Sequence, residues 1–145
     1  KEQEVTERKL EAVTIDYVSP GEQQPESDHF IKTENSNAGV NQDRHWRDAT
    51  GWFSYELNNE ENKAARIRIT YFGLDGNRKF KIMVNEMTIA NEELKGDRSP
   101  EFFTKDYELP KKIVEQKNET LSIRFEAEPG SRTAGIYGVR LMKKQ

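Results

Sequence analysis

The chain holds 145 residues and 16.9 kDa, the size of one domain with a single core. Hydrophobic residues make up 33% and charged residues 34%, against roughly 45–50% and about 25% in an average domain, so the core must be thin. A net charge of -3 offers no basic excess to draw phosphate backbones, which argues against nucleic acid as the partner, and the absence of cysteine excludes disulfides, thiolate metal sites and a cysteine nucleophile.

His29 and His45 are the whole imidazole supply. No apolar run approaches the length of a membrane span. The chain begins at Lys1 rather than Met, which reads as a piece of a longer precursor, with any targeting signal lying upstream.

Residues 1–12, KEQEVTERKLEA, read as a linker or disordered lead-in, because Val5 and Leu10 make too weak a stripe to dock a helix. From residue 13 to 145 the chain reads as one β-domain. Val13, Ile15 and Tyr17 alternate with polar residues, the period of a half-buried strand, and Ser19-Pro20-Gly21 stops it. Residues 21–45 are polar and read as a long connection. Phe53, Tyr55 and Leu57 share one face of the next strand, and Asn58 to Lys63 turns.

The alternation then becomes clean. Ile67, Ile69 and Tyr71 face inward, with Arg66, Arg68 and Thr70 outward. Gly73 to Asn77, with its Asp-Gly step, reads as a hairpin connection to a return strand carrying Phe80, Ile82 and Val84 inward. A short strand ends near Leu94, and another holds Phe102, Phe103, Tyr107 and Leu109 before Pro110. Lys111 to Lys117 reads as a helical turn or a loop. Leu121, Ile123 and Phe125 form a further inward face. After the Pro129-Gly130 turn, Tyr137, Val139 and Leu141 face inward against Ile136, Gly138, Arg140 and Met142.

About eight short strands with little helix predict an all-β fold of two antiparallel sheets packed face to face. Such a sandwich needs few apolar residues and leaves two polar faces wet, which accounts for the composition. The polar stretch before the aromatic strand and the lack of a Cys…Trp…Cys arrangement favour a jelly roll over an immunoglobulin-like sandwich.

His45 to Tyr55 holds both tryptophans. A flat aromatic face suits the C–H face of a sugar ring, while Trp46 pinning a loop and Trp52 covering a sandwich edge are the plainer readings. Glu34 to Gly39 offers oxygen and amide groups for sugar hydroxyls or calcium, with a capped turn as the default. Asp75-Gly76-Asn77 resembles a calcium-loop fragment and is first a turn. Arg66, Arg68, Arg124 and Arg140 would sit on outward faces beside acidic partners, or line a strip for an acidic polysaccharide. No G-x-S-x-G, HExxH or P-loop pattern occurs, and carboxylates are too plentiful to single out a catalytic pair.

Four stretches in order carry a family resemblance: Val18 to Gln24, Trp46 to Leu57 (WRDATGWFSYEL), Tyr71 to Phe80 (YFGLDGNRKF) and Gly130 to Leu141 (GSRTAGIYGVRL). Over roughly residues 13–143 the chain resembles the C-terminal accessory β-domain of bacterial glycoside hydrolases related to family 127. Those proteins carry the region once called domain of unknown function 1680 and include β-L-arabinofuranosidases. Thr50-Gly51 stands where that family commonly has Gly-Gly. The resemblance implies a galactose-binding-like jelly roll and an upstream catalytic barrel. It transfers no catalytic residue, because the cysteines of that chemistry have no counterpart here.

The expectation is a non-catalytic accessory domain of a periplasmic or extracellular polysaccharide-degrading enzyme. Its partners would be the upstream catalytic domain and an oligosaccharide. No cofactor is expected, and any calcium would be structural. Glu34, Asn35, Arg44, His45, Trp46 and Arg47 are the candidate ligand contacts, because one stretch combines aromatic, amide and charged groups. A purely structural brace for the catalytic domain and a small autonomous hydrolase are the alternatives.

Overall fold

A computed structural model describes residues 2–144, with side chains from Val5 onward; Lys1 and Gln145, the ends of the lead-in and of the β-domain, lie outside the described residues. Among the described residues, nine strands form two sheets. They are β1 (Thr14–Val18), β2 (Lys32–Asn41), β3 (Arg44–Asn58), β4 (Ala64–Phe72), β5 (Gly76–Val84), β6 (Met87–Lys95), β7 (Phe102–Glu108), β8 (Thr120–Ala127) and β9 (Gly138–Lys143). One sheet runs β1-β9-β4-β7 and the other β2-β3-β8-β5-β6, with every pair antiparallel. The fold is the expected antiparallel β-sandwich of jelly-roll type. Among the described residues, no helix is long and apolar enough to cross a membrane.

The core lies between the sheets and follows the period-two pattern. Phe53, Tyr55 and Leu57 of β3, Ile67, Ile69 and Tyr71 of β4, Phe80, Ile82 and Val84 of β5, and Leu121, Ile123 and Phe125 of β8 are all buried. Phe53 stacks on Phe125 at 5.1 Å, a cross-strand pair of the kind that contributes about 0.5–1.5 kcal/mol beyond its area. A polar chain ties the sheets across this core. Tyr71 meets the Tyr107 hydroxyl at 2.6 Å, Tyr107 donates to Glu92 of β6, and Lys105 closes on Glu92 at 2.6 Å.

Several expectations need correction. The lead-in is helical: α1 spans Glu2–Val13, with most of its described side chains exposed, as its weak apolar stripe predicts. The long connection at 21–45 is instead a helix, α2 (Gln23–Asp28), followed by β2. The sheet has β2 at its edge, so neither of its faces carries a buried apolar row for the eye to find. Its turn into β3 is Gln42-Asp43, both at positive φ (50° and 65°), the two-residue geometry usually signalled by Asn-Gly. Glu34 to Gly39 is therefore strand rather than capped turn, with a bulge between Glu34 and Ser36.

Gly73 to Asn77 is no hairpin. β4 and β5 lie in opposite sheets, so this segment is a corner that carries the chain across the sandwich. In β1 a bulge between Thr14 and Asp16 shifts the alternation: Val18 is buried, while Tyr17 sits opposite Arg140 with the guanidinium 4.5 Å from its ring. Ile136 is buried because it precedes β9 and bridges Arg47 instead of continuing the strand. Met142 is buried opposite Thr14, where the chain enters from α1. The helical turn expected at 111–117 is α3 (Lys111–Gln116).

Candidate functional site: a cleft at one end of the sandwich

Three segments meet at the turn end of the β2–β3 hairpin. The hairpin brings Asn41, Trp46 and Asp48. The β4–β5 corner brings Asp75 and Arg78. Residues 132–137 run along β3 on the side away from β2, with Ile136 and Arg47 exchanging backbone bonds at 2.9 and 3.2 Å and Thr133 N–H donating to Ala49 at 2.8 Å. Tyr137 N–H then donates to Thr70 at 2.9 Å, so this segment crosses from one sheet to the other. A cleft of about 360 Å3 lies among the three.

Trp46 lies across Gly39, its cross-strand partner; a Cβ on Gly39 would stand 2.5 Å from the indole Cζ2. Trp46 and Tyr137 supply aromatic lining to the cleft. The Asn41 amide donates to the Tyr137 hydroxyl at 3.1 Å. Burial, aided by the nearby Asp75 charge, holds that hydroxyl above the usual phenol range despite the Asn41 bond, so it stays protonated at neutral pH.

Asp48 is the most enclosed charged group here, with a side chain only 3% exposed. Its Oδ2 accepts from Arg132 Nη2 at 2.6 Å and lies 3.5 Å from Arg78 Nη1. Its Oδ1 is buried and has no hydrogen-bond partner among the described residues. Arg78 is fixed by bonds to the Thr133 carbonyl at 2.7 Å and the Gly76 carbonyl at 3.0 Å. Asp75 accepts the Gly135 N–H at 3.0 Å. The cleft thus carries two carboxylates and two guanidiniums, electrically balanced, with aromatic surface beside them. The chemistry of that mix suits a neutral polyhydroxyl better than an ion.

Of the sequence candidates, Trp46 is in this cleft. Arg44 stands at its margin, over the Phe102 ring at 4.6 Å, and Phe102 packs edge-on to Tyr137 at 4.8 Å. His45 is exposed opposite Val40. Arg47 points instead into a buried ion pair with Glu26, at 2.6 Å, and also donates to Ser36 at 2.6 Å. Glu34 and Asn35 lie about 20 Å along β2 from the turn, at roughly 3.3 Å per residue. The structure therefore does not gather the six into one site. Asn41, Asp48, Asp75, Arg78, Arg132 and Tyr137 join Trp46 in the cleft. Only the neighbourhood of Trp46 in sequence pointed to Asp48; nothing local links residues 132–137 to it.

The other readings also resolve. Arg68 takes Asp106 in a two-point pair at 2.6 and 2.9 Å, Arg66 reaches the same carboxylate at 3.4 Å, and Arg140 bonds Thr14. Among the described residues, no three His, Asp or Glu are grouped to hold a metal ion.

The class these features define is a galactose-binding-like β-sandwich with an aromatic-and-polar end cleft. The chain belongs to the family of unknown function DUF6805, whose model matches residues 9–142. No curated protein matches the sequence. Among solved structures it is similar to the ANX1 ectodomain from Arabidopsis thaliana, with 19% identity and TM-score 0.60 over 88% of this chain and 40% of that one. It is also similar to a family 35 carbohydrate binding module from an environmental isolate, with 17% identity and TM-score 0.54 over 91% of this chain and 89% of the module. An exo-β-1,3-galactanase from Phanerochaete chrysosporium, crystallised with galactose, matches at 10% identity and TM-score 0.59, over 86% of this chain and 28% of the enzyme. The chain therefore spans well under half of the plant ectodomain and of the galactanase.

Proposed function

We propose that this chain is a non-catalytic carbohydrate-binding domain that takes a neutral sugar in the end cleft, as an accessory part of a periplasmic or extracellular glycoside hydrolase. One observation carries the reading: a buried Asp48 with an unpartnered oxygen stands beside Trp46 in an open, charge-balanced cleft. In this reading a sugar hydroxyl, directly or through a bridging water, completes that acceptor, and the indole covers the apolar side of the ring. The carbohydrate-binding module and the galactanase among the similar folds favour the same class. So does the resemblance to accessory domains of family-127-related hydrolases, which makes an upstream catalytic barrel the expected neighbour in the parent protein.

Catalysis is disfavoured by the commitments of the two cleft carboxylates. Asp48 is engaged by Arg132 and Asp75 by a backbone N–H, so the two carboxylates are held by the protein rather than facing each other across a bond to be cut. The test is a tryptophan fluorescence titration with galactose, arabinose and their disaccharides, using Trp52→Phe so that Trp46 alone reports. A saturable change that disappears in Asp48→Asn supports the reading. A flat titration across all four sugars would falsify it.

A further inference from the structure

A second concavity, of about 780 Å3, lies on the outer face of the five-stranded sheet, away from the end cleft. Register fixes its layout. Across the strands, one row runs Glu34, Trp52, Glu126, Lys81, and the next runs Lys32, Ser54, Arg124, Met83. Glu56 and Ser122 pair in a third row, which Asn85 extends by accepting the Ser122 N–H at 2.9 Å. The two serines sit diagonally in the middle of longer side chains, so the sheet surface is lowest there. That turns a flat face into a groove.

The groove holds committed and uncommitted charges side by side. Its Glu126 is taken up by Lys81 and by Arg124. Lys32, Glu56 and Glu86 line the groove and form no ion pair with a described residue. The Ser54 and Ser122 hydroxyls make no hydrogen bond to one either. Arg124 is held by Glu126 at 2.8 Å and lies 3.9 Å from the Trp52 ring, building a rigid aromatic-guanidinium wall. Uncommitted donors and acceptors of both signs, an aromatic wall and open ends suit a neutral polyhydroxyl chain rather than a charged one.

Phe30 adds to this. It is 67% exposed, held at φ 54°, and follows His29, whose carbonyl accepts the Glu56 N–H at 2.8 Å. An exposed aromatic residue in a left-handed conformation is costly, and such strain collects where it serves a surface. The His29 bond sets its backbone next to that of Glu56, one of the groove residues.

We infer that this groove is a second binding surface, for an internal stretch of a linear neutral oligosaccharide. It stands independently of the end cleft. Calorimetric titration of the chain with α-1,5-arabino- and β-1,3-galacto-oligosaccharides, from disaccharide to hexasaccharide, tests it. The expected result for one of the two series is affinity that rises about tenfold or more with length. Ser122→Tyr, which fills the floor, should abolish that gain, and Glu56→Ala should weaken it by about fivefold at an unchanged melting temperature. Trp46→Ala should leave the gain intact, whereas failure of the end cleft shows only in the mono- and disaccharide titrations. Binding that is flat with length, binding indifferent to both groove variants, or no binding of either series overturns the inference.

Discussion

Arg47 and Glu26 meet end to end, Nε to Oε2 at 2.6 Å and Nη2 to Oε1 at 2.9 Å, with the Tyr55 hydroxyl donating to the same Oε2 at 2.6 Å. This buried cluster joins α2 to the aromatic strand, and it takes Arg47 out of any ligand contact. Burial alone would raise the Glu26 pKa. The Arg47 hydrogen bonds, the Gly21 N–H, the Tyr55 hydroxyl and the Arg47 charge outweigh it, and the carboxyl titrates below its ordinary 4.5.

The pH dependence follows from that sign. Because the folded pKa lies below the unfolded one, the stabilisation from Glu26 is complete above about 4.5 and is lost as pH falls through the folded value. Urea unfolding between pH 7 and acid should show stability dropping below that point, and Glu26→Gln should flatten the drop. Arg47→Ala at neutral pH should destabilise by about 3–5 kcal/mol, because it strands a buried carboxylate. A loss below about 1 kcal/mol would show the pair to be surface-like.

Gly39 exists for Trp46. A methyl group there meets the indole at 2.5 Å, so Gly39→Ala must tilt the ring or open the hairpin. The expected cost is about 1–3 kcal/mol, as for other overpacked contacts. In a Trp52→Phe background, Trp46 emission should shift, and mono- and disaccharide binding at the end cleft should weaken. An unshifted spectrum would mean that the indole does not rest on Gly39 in solution.

The bulge on β2 separates a backbone role from a ligand role. Asn35 sits at φ 53°, and on the facing strand a Cβ on Gly51 would run into the Glu34 carbonyl. Gly51→Ala should therefore destabilise by about 1–3 kcal/mol. Asn35→Ala should cost about 1 kcal/mol, while Asn35→Gly should be close to neutral. Urea denaturation midpoints measure all three. Loss of sugar affinity in a fully stable Asn35→Gly variant would restore Asn35 as a contact residue.

The sandwich was legible wherever one strand face is buried. Phe53-Tyr55-Leu57, Ile67-Ile69-Tyr71, Phe80-Ile82-Val84 and Leu121-Ile123-Phe125 each show the period of two and each face inward. It was illegible where burial gives no pattern. The edge strand β2 is held by its backbone bonds to β3, and its Gln-Asp turn lacks the glycine that marks such turns. The corner at Gly73 to Asn77 has the residues of a hairpin, yet strands 4 and 5 go to different sheets, a long-range outcome no dipeptide encodes. The site shared this fate. Trp46 was visible as an aromatic among polar groups, but Arg132 reaches Asp48 across 84 positions of sequence.

Arg132 offers the sharpest test of the end cleft. Its side chain is 44% exposed, while the carboxylate it holds is 3% exposed, so the pair is half open to water and half enclosed. Removing it leaves Asp48 with Arg78 at 3.5 Å and little else. Arg132→Ala should therefore destabilise by about 1–3 kcal/mol, the cost of an under-satisfied buried acceptor. A sugar hydroxyl that donates to Asp48 would recover part of this, because a ligand that binds only the folded state raises stability by mass action. Thermal unfolding with and without a saturating monosaccharide should then show a larger ligand-induced rise for Arg132→Ala than for the unaltered chain, and none for Asp48→Asn. Equal shifts in all three proteins would place the sugar away from Asp48.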